Sequence, residues 1–160
     1  MENKYTFFWK NRSPFSQWHP RGFEDENGVH FKTAEHYMMY EKAKLFGDDE
    51  VAQKVLDAKH PSDAKKLGRE AKGFDSKLWD EHKLYIVTKG NVLKFTQNED
   101  IKDKLLSTEG TKICEASPYD KIWGIGLDEE SAVKVSEDKW PGENLLGIAL
   151  DNAREQIKNA

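Results

Sequence analysis

No segment constrains this chain more than Thr33-Ala34-Glu35-His36-Tyr37-Met38-Met39-Tyr40-Glu41-Lys42-Ala43-Lys44-Leu45-Phe46. Its spacing predicts one amphipathic helix. Thr33 can cap the start, because its hydroxyl can accept from a free backbone N–H of the first turn. Gly47 can end it in a left-handed turn. At 100° per residue, Met38, Met39, Leu45 and Phe46 fall on one side, as a core-facing stripe does, and Tyr40, Glu41 and Lys44 fall on the other. Glu35 and Lys42 lie inside the apolar stripe, with Lys42 near its centre. Buried charge is costly unless it is paired or wetted by a pocket. The spacing separates the two Cα atoms by about 10 Å along the axis, so the long side chains can meet or flank a ligand. One reading is a half-buried ion pair, or a lysine that snorkels to the edge of the core. The other is an active-site acid beside a desolvated amine. Burial raises a Glu pKa and lowers a Lys pKa, which suits both to proton transfer near neutral pH. A neutral lysine is also a nucleophile toward a sugar aldehyde or iminium.

A second constellation runs from Glu115 through Ala116-Ser117-Pro118-Tyr119-Asp120-Lys121-Ile122-Trp123-Gly124-Ile125 to Gly126. Gly124 and Gly126 open backbone conformations closed to other residues. A single turn puts Asp120 beside the Trp123 indole, a pair that could hold a sugar hydroxyl and stack on a ring. The plainer reading is a turn capped by Asp120 that packs Trp123 into the core. Gly124-x-Gly126 lacks the third glycine of a dinucleotide fingerprint. Arg12, Arg21, Arg69 and Arg154 are candidate anion binders, since the guanidinium fork matches phosphate oxygens; a solvated surface role is the alternative for each.

The remaining sequence bounds the possibilities. With 160 residues, 37% hydrophobic and 34% charged, the chain suits a single domain with one core, spanning 1–160. A net charge of −4 gives no overall attraction for nucleic acid, so any anion recognition has to be local. The single Cys114 cannot form an internal disulfide and fits a reducing compartment. The five histidines show no metal-motif spacing, so we expect neither metal nor other cofactor. No apolar run is long enough to span a bilayer, and Met1-Glu2-Asn3-Lys4-Tyr5 has no signal-peptide core. A cytoplasmic location without membrane partners is the expectation.

Along the chain, Tyr5–Trp9 reads as a strand and Val29–Phe31 as a second that pairs with it. The intervening 11–28 is a long aromatic loop, of a kind usually functional. Helices are expected after Asp48 or Asp49, after a Ser62 cap, after Asp75 or Ser76 with an end near Phe95 or, if Gly90 breaks it, earlier, after Asn98 and after Asn144. Lys112–Glu115 reads as extended. The fold class is mainly α, with a small N-terminal β element.

Several segments together resemble one family. Ser13-Pro14-Phe15-Ser16, Thr33–Met38, Ala64-Lys65-Lys66-Leu67-Gly68-Arg69, Lys94-Phe95-Thr96-Gln97-Asn98, Glu115–Asp120, Ile122–Gly126 and Trp140-Pro141-Gly142-Glu143-Asn144-Leu145-Leu146-Gly147 are similar, in order, to the motifs of YbiA-like, or NADAR, proteins. Family members commonly carry Phe-Ser-Asn-Phe where this chain has Phe15-Ser16-Gln17-Trp18. The resemblance implies a helical domain and an N-glycosidase that cleaves a ribose C1–N bond. Its two implied substrate classes are phosphoribosylamino-pyrimidine intermediates of riboflavin synthesis and ADP-ribose carried on guanine, including guanine in DNA or RNA. The family's central-helix Glu and Lys carry over to Glu35 and Lys42, and its loop Asp and Trp to Asp120 and Trp123. We therefore expect Glu35, Lys42 and Asp120 to be catalytic. Substrate binding is expected of Arg12, Ser13, Phe15, Arg21, Arg69, Asn98, Trp123 and Asn144. The expected partner is a phosphorylated ribosyl-base substrate. The rival expectation is a module that binds ADP-ribose or NAD without turnover.

Overall fold

Strand β1, Tyr5–Phe8, does not pair with the segment around Phe31. The computed structural model, which describes residues 4–160, pairs it in parallel with Lys112–Glu115, placing Tyr5 opposite Lys112 and Phe8 opposite Glu115. Residues 1–3, the start of the segment read for a signal peptide, lie outside the described residues. His30–Phe31 instead pairs antiparallel with Phe23–Glu24. The two strands close around a turn in which Asp25 Oδ1 accepts from the N–H groups of Asn27 and Val29. In chain order the strands are β1, β2 (Phe23–Glu24), β3 (His30–Phe31) and β4 (Lys112–Glu115). The mainly α fold class with a small β element and the extended reading of Lys112–Glu115 hold; what is corrected is the partner of β1. Parallel pairing needs a long crossover, here supplied by five helices.

Helix α1 spans Ala34–Leu45. Thr33 Oγ1 accepts from the His36 N–H at 3.2 Å, as the capping reading requires. At the other end, Gly47 takes φ +74°, its N–H bonds to the Lys44 carbonyl, and Asp48 N–H bonds to that of Ala43. This pair of bonds is a Schellman stop. The single-stripe picture fails in the middle. Met38, Met39 and Ala43 enter the main core, while Ala34 and Tyr37 enter a second cluster with Phe23, Phe31 and Ile86. Tyr40, placed by projection on the solvent side, packs against Phe31 at 5.2 Å. α1 is surrounded because α2 (Asp49–Asp57), α3 (Pro61–Gly68), α4 (Ser76–Thr96) and β3 all pack on it.

The other helices differ from expectation in detail. α3 begins two residues earlier than a Ser62 cap implies: His60 is the N-cap and Pro61 the first helical residue, where its missing N–H costs nothing. α4 runs unbroken through Gly90, because Gly90 makes room for the Tyr37 ring; a Cβ there would lie 2.6 Å from Tyr37 Cδ1. Gly68 likewise makes room for Met39. α5 (Glu99–Leu106), a short α6 (Glu129–Ala132) and α7 (Leu145–Lys158) complete the mainly helical domain. α7 packs against both α4 and β4, which fixes the end of β4 relative to α1.

The aromatic loop 11–28 is tied down by the end of α4. Fully buried Lys94 donates to the carbonyls of Pro14 (2.6 Å) and Ser16 (3.0 Å). Gln97 exchanges two hydrogen bonds with the backbone of Glu24. Asn98 Nδ2 donates to the carbonyls of Gly22 and Lys94. Arg21 makes a two-bond fork with Asp100.

Candidate active site

The loop, α1, α3, β4 and the segment after β4 line an open cavity of about 1070 Å³. Glu35, in the first turn of α1, is only 4% exposed and lines it. The helix start is set by Gln17. Its carbonyl accepts from Glu35 N–H at 3.0 Å, and its side-chain amide reaches the Ala34 carbonyl and Asn91. Burial pushes the Glu35 carboxyl up to about 7, raised further by Asp120; Lys65, the Trp18 side chain and Lys42 oppose the rise. Lys42 lies two turns along on the same face. Burial is the main cause that lowers its pKa, Arg69 adds to it and Glu35 opposes it. Among the described residues Lys42 has no ion pair. Its Nζ instead lies over the Phe74 and Trp79 rings, 4.9 and 5.5 Å from their centroids. Those ring faces favour the cation. The buried-ion-pair reading of Glu35 and Lys42 is therefore not what is observed: both face one cavity and remain unbonded to each other.

Asp120 also lines the cavity, and both readings of its loop meet there. Its Oδ1 caps the turn by accepting from Ile122 and Trp123 N–H at 2.9 and 2.8 Å. Trp123 packs on the core with one part and walls the cavity with another. Gly126 at φ +79° turns the chain under Pro141 and Gly142.

Of the expected binding residues, Arg69 and Trp123 join Glu35, Lys42 and Asp120 at the cavity. The others do not. Arg12 is solvent-exposed and outside the lining. Ser13 Oγ accepts from Phe15 N–H, and Phe15 is core. Arg21 is neutralised by Asp100, and Asn98 is occupied by backbone carbonyls. Asn144 spends its amide on β4, donating to the Ile113 carbonyl and accepting from Glu115 N–H. Arg154 is buried against Thr108 and Thr111. Cys114 is buried, and burial pushes its thiol up to about 12, which removes it as a nucleophile.

Asn144 adopts φ +55° at the start of α7, a conformation that Asn tolerates better than most residues. Asn144→Ala loses both hydrogen bonds and that tolerance. It is expected to cost about 2–3 kcal/mol in urea unfolding while leaving the KM of the folded protein nearly unchanged.

Sequence reasoning missed Lys65, Glu115, Trp18 and Gln17. Lys65 of α3 and Arg69, the residue that caps its C-terminus, are one helical turn apart and both line the cavity; the Lys65–Arg69 spacing is a usable signal. Gln17 and Trp18, where the chain departs from Phe-Ser-Asn-Phe, are both cavity residues. Five basic side chains line the cavity against three acidic ones, so a chain of net charge −4 presents a locally cationic pocket. Among the described residues no cluster of His, Cys, Asp or Glu is placed to hold a metal ion, and no helix is long and apolar enough to cross a membrane.

The helical frame is similar to that of the Escherichia coli protein YbiA, with a TM-score of 0.78 over 99% of this chain and 88% of that one, at 24% identity. The family model of the NADAR domain matches residues 7–158, and the chain belongs to the NADAR family. It is 46% identical to N-glycosidase R617 of Acanthamoeba polyphaga mimivirus, covering 96% of both chains. It is 36% identical to protein irg-1 of Caenorhabditis elegans, covering 96% of this chain and 79% of that one. A maize chloroplastic riboflavin biosynthesis protein, PYRR, is 32% identical across 93% of this chain, which spans 24% of its length.

Proposed function

We propose that the chain is an N-glycosidase that hydrolyses the bond between a ribose C1 and an exocyclic nitrogen, with Lys42 as nucleophile and Glu35 as proton-transfer group. The observation that carries this is the placement of a buried acid and a half-buried amine on one helix, facing one cationic cavity with no ion pair between them. Burial eases loss of the Lys42 proton, and the neutral amine can add to a ring-opened C1 imine. Loss of the base leaves a Lys42 Schiff base, which water hydrolyses to the free sugar. Asp120 Oδ2, left over from the turn cap, can accept from a sugar hydroxyl, and Trp123 walls the substrate. The relatives named as an N-glycosidase and for riboflavin biosynthesis support this class. The substrates in view are phosphoribosylamino-pyrimidines and ADP-ribosylated guanine.

The test is borohydride trapping during turnover of either substrate, with the adduct mapped by mass spectrometry. An adduct on Lys42 supports the reading. Product with no adduct under any condition favours direct attack of water activated by Glu35. Tight binding of ADP-ribose with no product from either substrate leaves only a binding module.

Phosphate recognition follows from the lining. Arg69→Ala is expected to raise KM for a phosphorylated substrate about tenfold more than for its dephosphorylated analogue, as loss of a charge-assisted contact does. Lys65→Ala should act in the same direction. Arg12→Ala and Arg21→Ala should leave the ratio of the two KM values unchanged; a changed ratio in either would move the phosphate site to the aromatic loop.

A further inference from the structure

One partly buried carboxyl of the cavity has no part in that scheme. Glu115 ends β4, and its backbone is pinned on both sides. Its N–H donates to Asn144 Oδ1 at 3.1 Å, and its carbonyl accepts from Ile125 N–H at 2.9 Å. The carboxyl lines the same cavity as Glu35 and Lys42 and accepts no hydrogen bond from any described residue. A backbone pinned at both its N–H and its carbonyl fixes where this partly buried carboxyl stands on the cavity wall, free, among the described residues, of any side-chain or backbone donor that would commit it to the scaffold.

We propose that Glu115 is a second proton-transfer residue of this site, paired with Glu35 and acting on substrates whose glycosidic nitrogen bears a hydrogen. The proposal rests on the N-glycosidase reading. Ring opening of such a glycosylamine moves two protons in one step. The electron pair of the C1–O4′ bond leaves with oxygen, which takes a proton from a protonated carboxyl. The nitrogen lone pair forms the second C1–N bond, and the nitrogen's proton passes to an ionised carboxyl. Lys42 then adds to C1, and one of its protons moves to the substrate nitrogen. The second carboxyl, now protonated, gives its proton to that nitrogen as the C1–N bond breaks, leaving the Lys42 iminium. Water adds to C1 and gives a proton to the first carboxyl. The adduct collapses to the aldehyde as its hydroxyl proton passes to Nζ, which restores the starting state. One acid and one base are needed at the same moment, and two carboxyls of opposite protonation supply them.

The surroundings push both carboxyls into the same range. Burial, Asp120 and Glu35 all push the Glu115 carboxyl up, to about 7, with Lys65 opposing. The Glu35 carboxyl is likewise pushed up to about 7, with Lys65, Trp18 and Lys42 opposing, so near neutral pH the pair shares one proton, and whichever carboxyl holds it is the acid while the other is the base. The charged groups sharing the cavity are Glu35 and Lys42 of α1, Lys65 of α3 and Arg69 at its C-cap, Lys10 after β1, and Asp120 and Lys121 after β4. The two acids titrate as a coupled pair.

The experiment compares full-length wild type, Glu115→Gln and Glu115→Asp on a phosphoribosylaminopyrimidine between about pH 5 and 9. The proposal expects Glu115→Gln to lose about 100-fold in kcat, to keep KM within about threefold, and to lose one limb of the bell-shaped kcat profile. Glu115→Asp should recover at least about tenfold over Gln, with that limb shifted. Wild-type kcat and profile in Glu115→Gln overturn it, as does equal loss in Gln and Asp, which marks a structural role. If the Gln protein does not fold, an unshifted profile in Glu115→Asp overturns it. Absence of wild-type turnover on this substrate and on ADP-ribosylated guanosine is a different outcome: it removes the glycosidase reading on which the pair rests.

Discussion

Lys42→Arg is expected to fold normally and to lose at least about 1000-fold in kcat, as removal of a covalent nucleophile does. The guanidinium keeps the positive charge and can lie over the same Phe74 and Trp79 faces. It stays protonated at any working pH and cannot form an imine. The variant therefore separates two roles that Lys42→Ala removes together. Stopped turnover, measured as free sugar released, with a melting temperature near that of wild type supports nucleophilic attack. Retention of most of the wild-type rate would make Lys42 a charge that steadies an oxocarbenium-like C1, and the Schiff base would be wrong.

Glu35→Gln is expected to lower kcat by about 100-fold or more, as for loss of a general acid–base, and to change the pH dependence of stability. The folded-state pKa of Glu35 is held at about 7 against an unfolded value of 4.5, chiefly by burial. Between those two values the native state binds more protons than the unfolded state, so stability falls as pH rises. The stabilising contribution is complete below about pH 4.5 and is gone above about pH 7. The amide removes this dependence. Relative to wild type, Glu35→Gln should therefore gain stability on going from pH 4.5 to pH 8, by up to about 3 kcal/mol. Glu115 keeps a dependence of the same sign, so the variant's profile flattens without becoming level. Urea unfolding at the two pH values reads the difference; an unchanged or reversed difference would place Glu35 in contact with water.

Much of the frame is readable from local chemistry. Caps and stops act over three or four residues, so Thr33, Gly47, Asp48 and Asp75 mark helix ends with no knowledge of the rest of the chain. Strand pairing is different. β1 and β4 are more than 100 residues apart and joined by a helical crossover, and nothing local distinguishes that partner from nearby Phe31. The surrounded helix was equally hidden, because a helix covered on nearly every side has no single stripe for a projection to find.

The same division runs through the cavity. By itself the sequence determined that a central helix carries Glu35 and Lys42 on one face, because helical periodicity is a local property. It also determined that Asp120 and Trp123 share one turn. Only the tertiary structure decided which other residues serve that face. It drew Arg21, Asn98 and Asn144 into the scaffold, since backbone carbonyls and Asp100 already occupy their polar groups. It also brought Lys65, Arg69 and Glu115 to the cavity from α3 and β4. Whether a charged side chain binds substrate or braces the fold depends on which partners packing brings within hydrogen-bond reach, and those partners come from distant parts of the chain.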